Sequence, residues 1–427
     1  MTRRGFLLSS LLAAEPRVNA ARLRARLEKL SEFGRPTGGT FADGVSRTGY
    51  SEPDVAARAW VMDLMRAAGL RVRIDAAGNI FARRDGADPA IEPVLFGSHI
   101  DSVPNGGNFD GDLGSLAALE VLEALKESGS STRRPLEAVI WACEEATFNG
   151  MSLNGSRAAA GRLVKGELDQ VSGGLRKSDG VRRIGGNPDR IEDTRIKPGS
   201  FHGYLELHIE QGGVLDQEGT PVGVVEGIVA IDRYAVEIEG FANHAGTTPM
   251  AGRQDALIAA ARLILAVQEI VTAEAGRQVG TVGQLQVHPN ASNVIPGRVS
   301  TGFELRDLSG EKLVRLAALI RRRTEEIARD TRTRIRVEQT LHNEPAAAAE
   351  SMQSVIETAA RALGLASRRL PSGAGHDAQM MAQLGPMGMI FVPSVNGVSH
   401  SPKELTRWDD CARGAAVLLR SVAALAS

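Results

Sequence analysis

Cysteine is nearly missing from this 427-residue chain: Cys143 and Cys411 are the only two, and neither belongs to a CxxC pair. That excludes a disulfide framework and a thiolate zinc site, so any metal must be held by imidazole and carboxylate. Aromatic residues amount to 4% and the formal net charge is −1. A nucleic-acid surface needs a basic excess or a row of stacking rings, and the chain has neither. No apolar stretch approaches the length of a membrane span, so no integration into a membrane is expected. What is there, 43% apolar and 24% charged residues, predicts a globular protein, and 427 residues exceed one comfortable core and predict two domains.

The N-terminus holds the one address-like feature. Thr2-Arg3-Arg4-Gly5-Phe6-Leu7-Leu8, an apolar stretch to Leu12 and the small pair Ala13-Ala14 resemble a twin-arginine export signal over residues 1–14, a device that moves cargo already folded. Two readings stay open: periplasmic after export, or cytoplasmic with two incidental arginines.

Chemistry first shows at Val94–Leu125. An apolar approach, Val94-Leu95-Phe96, stops at Gly97-Ser98-His99-Ile100-Asp101, a Gly/Asn/Pro-rich stretch leads to Asp110, and Leu113–Leu125 has helical periodicity. Strand, loop and helix in that order put an imidazole and a carboxylate at the carboxyl end of a buried strand, where open α/β sheets place ligands. Singly, a satisfied core histidine and a helix N-cap explain both. Leu136–Ala142 is a second buried strand that ends in Cys143-Glu144-Glu145, two carboxylates where one would serve a solvated turn. An ordinary acidic strand end is the plainer alternative. In Gly203–Val214, Leu205, Leu207 and Ile209 alternate with Glu206, His208 and Glu210, so His208 lies opposite the core leucines or points along the strand end toward a cleft. Near the C-terminus the apolar strand Met387–Val392 precedes a polar loop carrying Ser399-His400-Ser401-Pro402.

Between these points the chain alternates predictably. Val18–Phe33 is an amphipathic helix, Ser51 starts a helix that runs to Ala68, and Leu70–Ile74 with Asn79–Arg83 form a hairpin. Gly173–Gly199 is Gly- and charge-rich and reads as a surface excursion. From about Asp216 come strand Tyr234–Gly240, helix Gln254–Val271, strands Val279–His288 and Arg298–Leu308, helix Glu311–Asp330 and strand Arg334–Leu341. That order, β-α-β-β-α-β, is a ferredoxin-like unit complete in itself, so 216–343 is expected to be an inserted domain. The flanking parts, 15–215 and 344–427, should form an α/β domain with a mixed central sheet flanked by helices. After the insertion follow helix Glu350–Leu363, a Gly-rich loop Ser372–Asp377, a helix to Leu384 and a closing helix Asp409–Leu425. The run Arg321–Arg323 lies on a helix and reads as a solvated face.

His99, Asp110, Glu144-Glu145, His208 and His400 each stand at or just beyond the end of an apolar strand outside the insertion. Shared placement on one rim favours metal over the single-residue alternatives. Two divalent cations about 3.5–4 Å apart need one bridging carboxylate and roughly two more ligands each. Imidazole and carboxylate without thiolate suit zinc, manganese, cobalt or nickel, and a carboxylate beside a ligating one can take a proton from water.

These residues carry a resemblance. GSHIDS, GGNFDGDLG, Glu144-Glu145, LHIEQG, NHAGTTPM (Asn243–Met250), NASNVIPG, ELRDL, SGAGHDA and SHSP together, in order from about Ser46 to the end, resemble the two-metal M20-type amidohydrolases. Within them the match is to the branch of N-carbamoyl-L-amino-acid hydrolases, allantoate amidohydrolases and β-ureidopropionases. The resemblance implies one metal held by His99, Asp110 and His208 and a second by Asp110, Glu145 and His400, zinc above manganese, cobalt or nickel. It further implies Glu144 as general base, His244 as catalytic oxyanion donor, Gln211, His244, Asn293 and Arg306 as substrate ligands, and Asp101 as the group that orients a ligand imidazole. A homodimer is implied, with the insertion as lid and dimerisation domain and His244 arriving from the partner subunit. The implied reaction is hydrolysis of a linear carbamoyl amide C–N bond in a small carboxylate-bearing substrate, N-carbamoyl-L-amino acid to amino acid, carbon dioxide and ammonia. Allantoate or β-ureidopropionate is the alternative substrate, and a metal-binding scaffold the non-enzyme alternative. One departure stands out: Ala146-Thr147-Phe148-Asn149-Gly150 replaces the usual small residue, polar residue and Arg-Phe. His202, His288, His342 and His376 are read as structural, with His376 the first candidate for a supporting role.

Overall fold

Residues 15–427 are described by a computed structural model, and the export-signal-like stretch lies outside them. The chain divides into two units: the first runs to Glu226 and includes Ala348–Leu370 and His376–Ser427, and the second comprises Gly227–Ala347 with Pro371–Gly375.

In the first unit α1 (Ala20–Leu30) starts at Asn19, whose side chain accepts the Arg22 N–H, and buries Leu23, Leu27 and Leu30 along one stripe. Helix α2 (Glu52–Ala67) is capped by Ser51 with Pro53 in its first turn. Strands β1 (Arg71–Ile74) and β2 (Ile80–Arg84) pair antiparallel as the expected hairpin. Strand β3 (Val94–His99), helix α3 (Asp112–Glu127) and strand β4 (Leu136–Trp141) follow, and β3 and β4 are parallel. All six residues of each strand are buried, as unbroken apolar runs covered on both faces should be.

The stretch beyond β4 is structured. It holds α4 (Asn154–Ala159), a short hairpin of β5 (Val171–Ser172) and β6 (Leu175–Arg176), and α5 (Lys177–Arg183). Within it Gly173–Gly199, expected as a surface excursion, carries β6 and α5, the helix with buried side chains. Val181 and Ile184 pack into a small core with Tyr50, Ala142, Cys143 and Phe148. Too few apolar positions here make a period, because tight approach does the packing: a Cβ on Gly180 would meet the Tyr50 ring at 2.8 Å. Lys177 is buried on Glu167 and Asn154.

Strand β7 (Gly203–Ile209) pairs parallel to β3, and α6 (Val214–Glu218) leads to β8 (Val222–Ile228). Strand β8, a short Gly-interrupted run absent from the sequence reading, pairs with the principal sheet, and the division between units falls at 227 rather than 216.

The second unit contains β9 (Ala230–Glu239), α7 (Ala256–Ala273), β10 (Val279–His288), β11 (Arg298–Asp307), α8 (Gly310–Thr331) and β12 (Arg334–Asn343), in the order β-α-β-β-α-β. Its antiparallel sheet runs β10-β11-β9-β12. Alternate residues of β9 and β11 face the helices, with the rings of Tyr234 and Phe303 stacked at 4.6 Å. Helix α7 corrects one expectation: its 18 residues at mean hydropathy 1.8 are long and apolar enough to cross a membrane by length and composition. Here Ala259, Leu263 and Val267 turn into the unit's own core.

The chain then forms β13 (Ala346–Ala347), α9 (Glu350–Ala362), β14 (Ser367–Ser372), α10 (Asp377–Met381), β15 (Met387–Val392) and α11 (Trp408–Leu425). Among the described residues the principal sheet has nine strands, with β1-β2-β4-β3-β7-β15-β8-β13 in order and β14 also on β8. Parallel pairs at its centre and antiparallel ones at its margins make it mixed, and helices flank it.

Candidate active site

Four parallel strands end on one rim of the sheet, and each delivers a polar group there. His99 closes β3, and Asp110 precedes α3. Glu144 and Glu145 follow β4 through Cys143, whose φ of +51° turns the chain sharply. His208 is the next-to-last residue of β7, and His400 lies in the loop beyond β15.

The two oxygens of Asp110 look in two directions. Oδ1 is 3.5 Å from His99 Nε2 and 3.2 Å from His208 Nε2. Oδ2 is 3.4 Å from His400 Nε2, which is itself 3.4 Å from Glu145 Oε1. Two sets of candidate ligands result, His99–Asp110–His208 and Asp110–Glu145–His400, with donor atoms inside each set within 4.8 Å of one another. Glu144 Oε2 stands 3.8 Å from His99 Nε2. His99, Asp110, Glu144, Glu145 and His208 are buried, whereas the His400 side chain is 49% exposed and gives the rim its open side.

Main-chain carbonyls select the tautomers. His99 Nδ1 lies 3.0 Å from Asp101 O and His208 Nδ1 2.9 Å from Ile209 O, so each Nδ1–H is donated to its carbonyl and each Nε2 is turned toward Asp110. The glycine after Asp110 is obligatory: at Gly111, φ +67°, a Cβ would sit 2.4 Å from the His99 ring. Asp101 faces the His99 ring, its Oδ1 3.7 Å from Nδ1, and its carboxylate also has main-chain partners. Oδ1 accepts the Glu144 N–H at 3.0 Å and Oδ2 the Glu145 N–H at 3.1 Å, so the carboxylate holds the glutamate pair.

The electrostatics are those of crowded carboxylates. Burial pushes the Glu144 carboxyl well above its usual range against the opposing His99, and Glu145, Asp377 and Asp101 push further. Burial and Asp110 take Glu145 up to about 8. Burial resists the charge on Asp110, but His208, His400 and His99 prevail and hold it well below the carboxylate range. Burial likewise opposes the His99 imidazolium, but Glu144, Asp110 and Asp101 hold it well above the ordinary value. Added positive charge relieves such a cluster, and Gln211 Oε1, a buried oxygen without a hydrogen-bond partner, adds a lone pair beside it. The residues therefore fit divalent metal.

A sequence profile described as Peptidase family M20/M25/M40 matches residues 95–424. The chain belongs to the M20 peptidase family. It is 42% identical over 410 residues to the N-carbamoyl-L-amino acid amidohydrolase of Geobacillus stearothermophilus, covering 96% of this chain and 99% of that one. Identity to the ureidoglycolate hydrolase of Arabidopsis thaliana is 37% over 423 residues, 97% of this chain and 88% of the relative. The crystal structure of an amidase of the hydantoinase/carbamoylase family from Burkholderia multivorans superposes with a TM-score of 0.88 at 35% identity, covering 96% of this chain and 98% of that one.

In this M20 chain Gln211 joins the rim: with φ +60° its Nε2 donates to Asp110 Oδ2 at 2.6 Å. His244, Asn293 and Arg306 belong to the second unit. His244 and Asn293 are brought together, since Ala245 N donates to Asn293 O at 2.9 Å. The exposed His244 ring accepts the N–H groups of Gly246 and Thr247 at Nδ1, at 3.0 and 3.2 Å, which puts its proton on Nε2 as a donor. Arg306 pairs with Glu304 through Nε at 2.6 Å and gives Nη1 to Gly373 O at 2.5 Å, so part of its fork is already committed.

Of the other supports, the sequence points to His376 but not to Glu206. Glu206, fully buried, accepts Ser98 Oγ, Tyr204 Oη and Ala378 N beneath His208, and it forms with His208 and His376 a third close donor group. With both oxygens thus engaged, the group serves as packing under His208, against which the His376 ring stands edge-on at 4.5 Å. Burial and then His208 hold the His376 imidazole well below its usual value, and so neutral. The unusual Phe148 fills the small core, edge-on to Tyr50 at 5.7 Å, and Asn149 Nδ2 reaches Val171 O at 3.2 Å. An arginine at 148 would bring charge among apolar side chains.

Proposed function

We propose that this M20 hydrolase cleaves the carbamoyl C–N bond of N-carbamoyl-L-amino acids, yielding amino acid, carbon dioxide and ammonia. The observation that carries it is the divided carboxylate of Asp110, one oxygen toward His99 and His208 and the other toward His400, with the uncommitted Glu144 alongside. Two divalent ions, zinc before manganese, cobalt or nickel, would be held by His99–Asp110–His208 and Asp110–Glu145–His400, and would polarise the scissile carbonyl and acidify water there. Glu144, outside both ligand sets but 3.8 Å from His99 Nε2, takes the proton from the attacking water and returns it to the departing nitrogen. His244 donates Nε2–H to the oxyanion, and Arg306, Asn293 and Gln211 bind the substrate carboxylate.

A homodimer formed through the second unit is part of this reading. Its support is an apolar face outside that unit's core, Ile258 at 50% and Leu265 at 57% exposure on α7, beside the edge strand β10 with exposed Val279 and Leu285. A second reading, ureidoglycolate or allantoate as substrate, draws support from the Arabidopsis ureidoglycolate hydrolase for the first and from the allantoate amidohydrolase of Escherichia coli for the second.

The test is metal removal, reloading with Zn²⁺, Mn²⁺, Co²⁺ or Ni²⁺, and ammonia release from N-carbamoyl-L-amino acids, β-ureidopropionate, allantoate and ureidoglycolate. Chelation should abolish turnover and reloading restore it, with carbamoyl amino acids preferred. Preference for allantoate or ureidoglycolate replaces the substrate assignment. Full activity of metal-free protein overturns the mechanism, and no ammonia from any compound with metal bound leaves a metal-binding scaffold.

A further inference from the structure

Glu404 lies four residues beyond His400, in a polar loop where an acidic residue is ordinarily solvated, yet it is 4% exposed. Its Oε1 accepts two successive main-chain N–H groups across the fold, Phe109 at 3.0 Å and Asp110 at 3.1 Å. Its Oε2 is 2.8 Å from Ser399 Oγ, and that hydroxyl is also 3.0 Å from Asp110 Oδ2. The approach demands glycine opposite: a Cβ on Gly107 would stand 2.1 Å from Glu404 Oε1. One carboxylate thus pins the backbone of Asp110 and, through Ser399, reaches the oxygen of Asp110 that faces His400. The other oxygen is placed differently, against His99 and His208, whose rings are set by the carbonyls of Asp101 and Ile209.

We propose that Glu404 is a positioning residue that sets Asp110 Oδ2 against His400, and so controls retention of the ion assigned to Asp110, Glu145 and His400 more than of the ion assigned to His99, Asp110 and His208. This rests on the two-metal reading above. Geometry rather than charge is the means, which the choice of substitution exposes. In Glu404→Gln the amide oxygen still accepts both N–H groups, while Nε2 donates to Ser399 Oγ and leaves the hydroxyl hydrogen to Asp110. Glu404→Ala loses all of these contacts, and Ser399→Ala loses only the link to Oδ2.

The test is metal titration of the full chain with Zn²⁺, read by ions per subunit, and with Co²⁺, read by its visible absorption, for wild type and the three variants. Removing a support of this kind costs about 10–100-fold in metal affinity. Glu404→Ala should hold one ion as tightly as wild type and the other about 10–100-fold more weakly, with a changed Co²⁺ spectrum for the second equivalent. Ser399→Ala should weaken the same ion by a smaller factor, and Glu404→Gln should match wild type. Two ions at wild-type affinity in Glu404→Ala, equal loss of both, or failure of the Gln variant to rescue overturns the proposal. Should the Ala variant not fold, judged by circular dichroism, Ser399→Ala decides: unchanged affinity for the second ion refutes it. Wild type binding fewer than two ions refutes the two-metal reading itself.

Discussion

Replacing Asp101 by Asn tests how the glutamate pair is held. The carboxylate, 2% exposed, accepts one N–H at each oxygen, from Glu144 at 3.0 Å and Glu145 at 3.1 Å. Asparagine has the same shape but only one acceptor atom, so one of two adjacent N–H groups must face an NH₂. A buried donor left unpaired costs about 1–3 kcal/mol, and the remaining bond loses its charge assistance, worth about 1 kcal/mol more. Against this, burial disfavours the charge of Asp101, whose carboxyl is raised by desolvation, and a neutral amide escapes that cost. The net is about 2–3 kcal/mol, and because the strain falls on the backbone of Glu144 it should show in turnover, as a drop of about 30- to 150-fold in kcat/KM. Ammonia-release kinetics on metal-loaded protein, with metal content and thermal unfolding as controls, measure it. Asp101→Asn within threefold of wild type would refute the account of the carboxylate as the clamp on both glutamates.

Four further outcomes are expected. Glu144→Gln should lower turnover by about 10²–10⁴ with metal content unchanged, whereas Glu145→Gln should lose metal, and the reverse pattern would exchange the two roles. Arg306→Lys keeps the charge but not the fork, and frees Glu304 and Gly373 O, so hydrolysis of carboxylate-bearing substrates should fall by about 2–4 kcal/mol in kcat/KM while carbamoyl compounds lacking a carboxylate change little; a change within threefold rejects the clamp. Mixed Glu144→Gln and His244→Ala subunits should recover part of the activity after verified exchange, and no recovery argues against delivery of His244 from the partner. His342 is raised above 6.5 by its hydrogen bonds to Asp232 and Glu344. A group so raised stabilises the fold fully below its unfolded value and loses that contribution as pH rises through the folded one, so His342→Ala should flatten the decline in thermal stability from about pH 6 upward. An unaltered pH profile would show the pair to be inert.

The rim was legible because strand ends are legible: unbroken apolar runs stop at His99, Glu144 and the loop bearing His400, and regular alternation marks His208. The second unit was legible because its strands alternate and its helices are long. What escaped lacks a period. Helix α5 packs through a glycine against Tyr50 rather than through an apolar stripe, and β8 and β14 are short strands interrupted by Gly or Pro. Glu404 escaped because nothing local distinguishes a carboxylate bonded 295 positions away from one bonded to water. Asp101 was found, but its carboxylate serves the backbone of residues 43 and 44 positions later, a partnership that spacing alone does not show.

The place of β15 in the sheet bears on how the polypeptide is made. It lies between β7 and β8, parallel to one and antiparallel to the other, yet it is synthesised after the entire second unit. Until Met387–Val392 leaves the ribosome, the inner edges of β7 and β8 present unpaired N–H and C=O groups, an invitation to pair with another chain. Closing a slot over so long a span is slow, since loop entropy must be spent before the contacts repay it. The nascent protein should therefore lean on chaperones late in translation, and truncations that stop short of β15 should aggregate even when the second unit they contain is well folded.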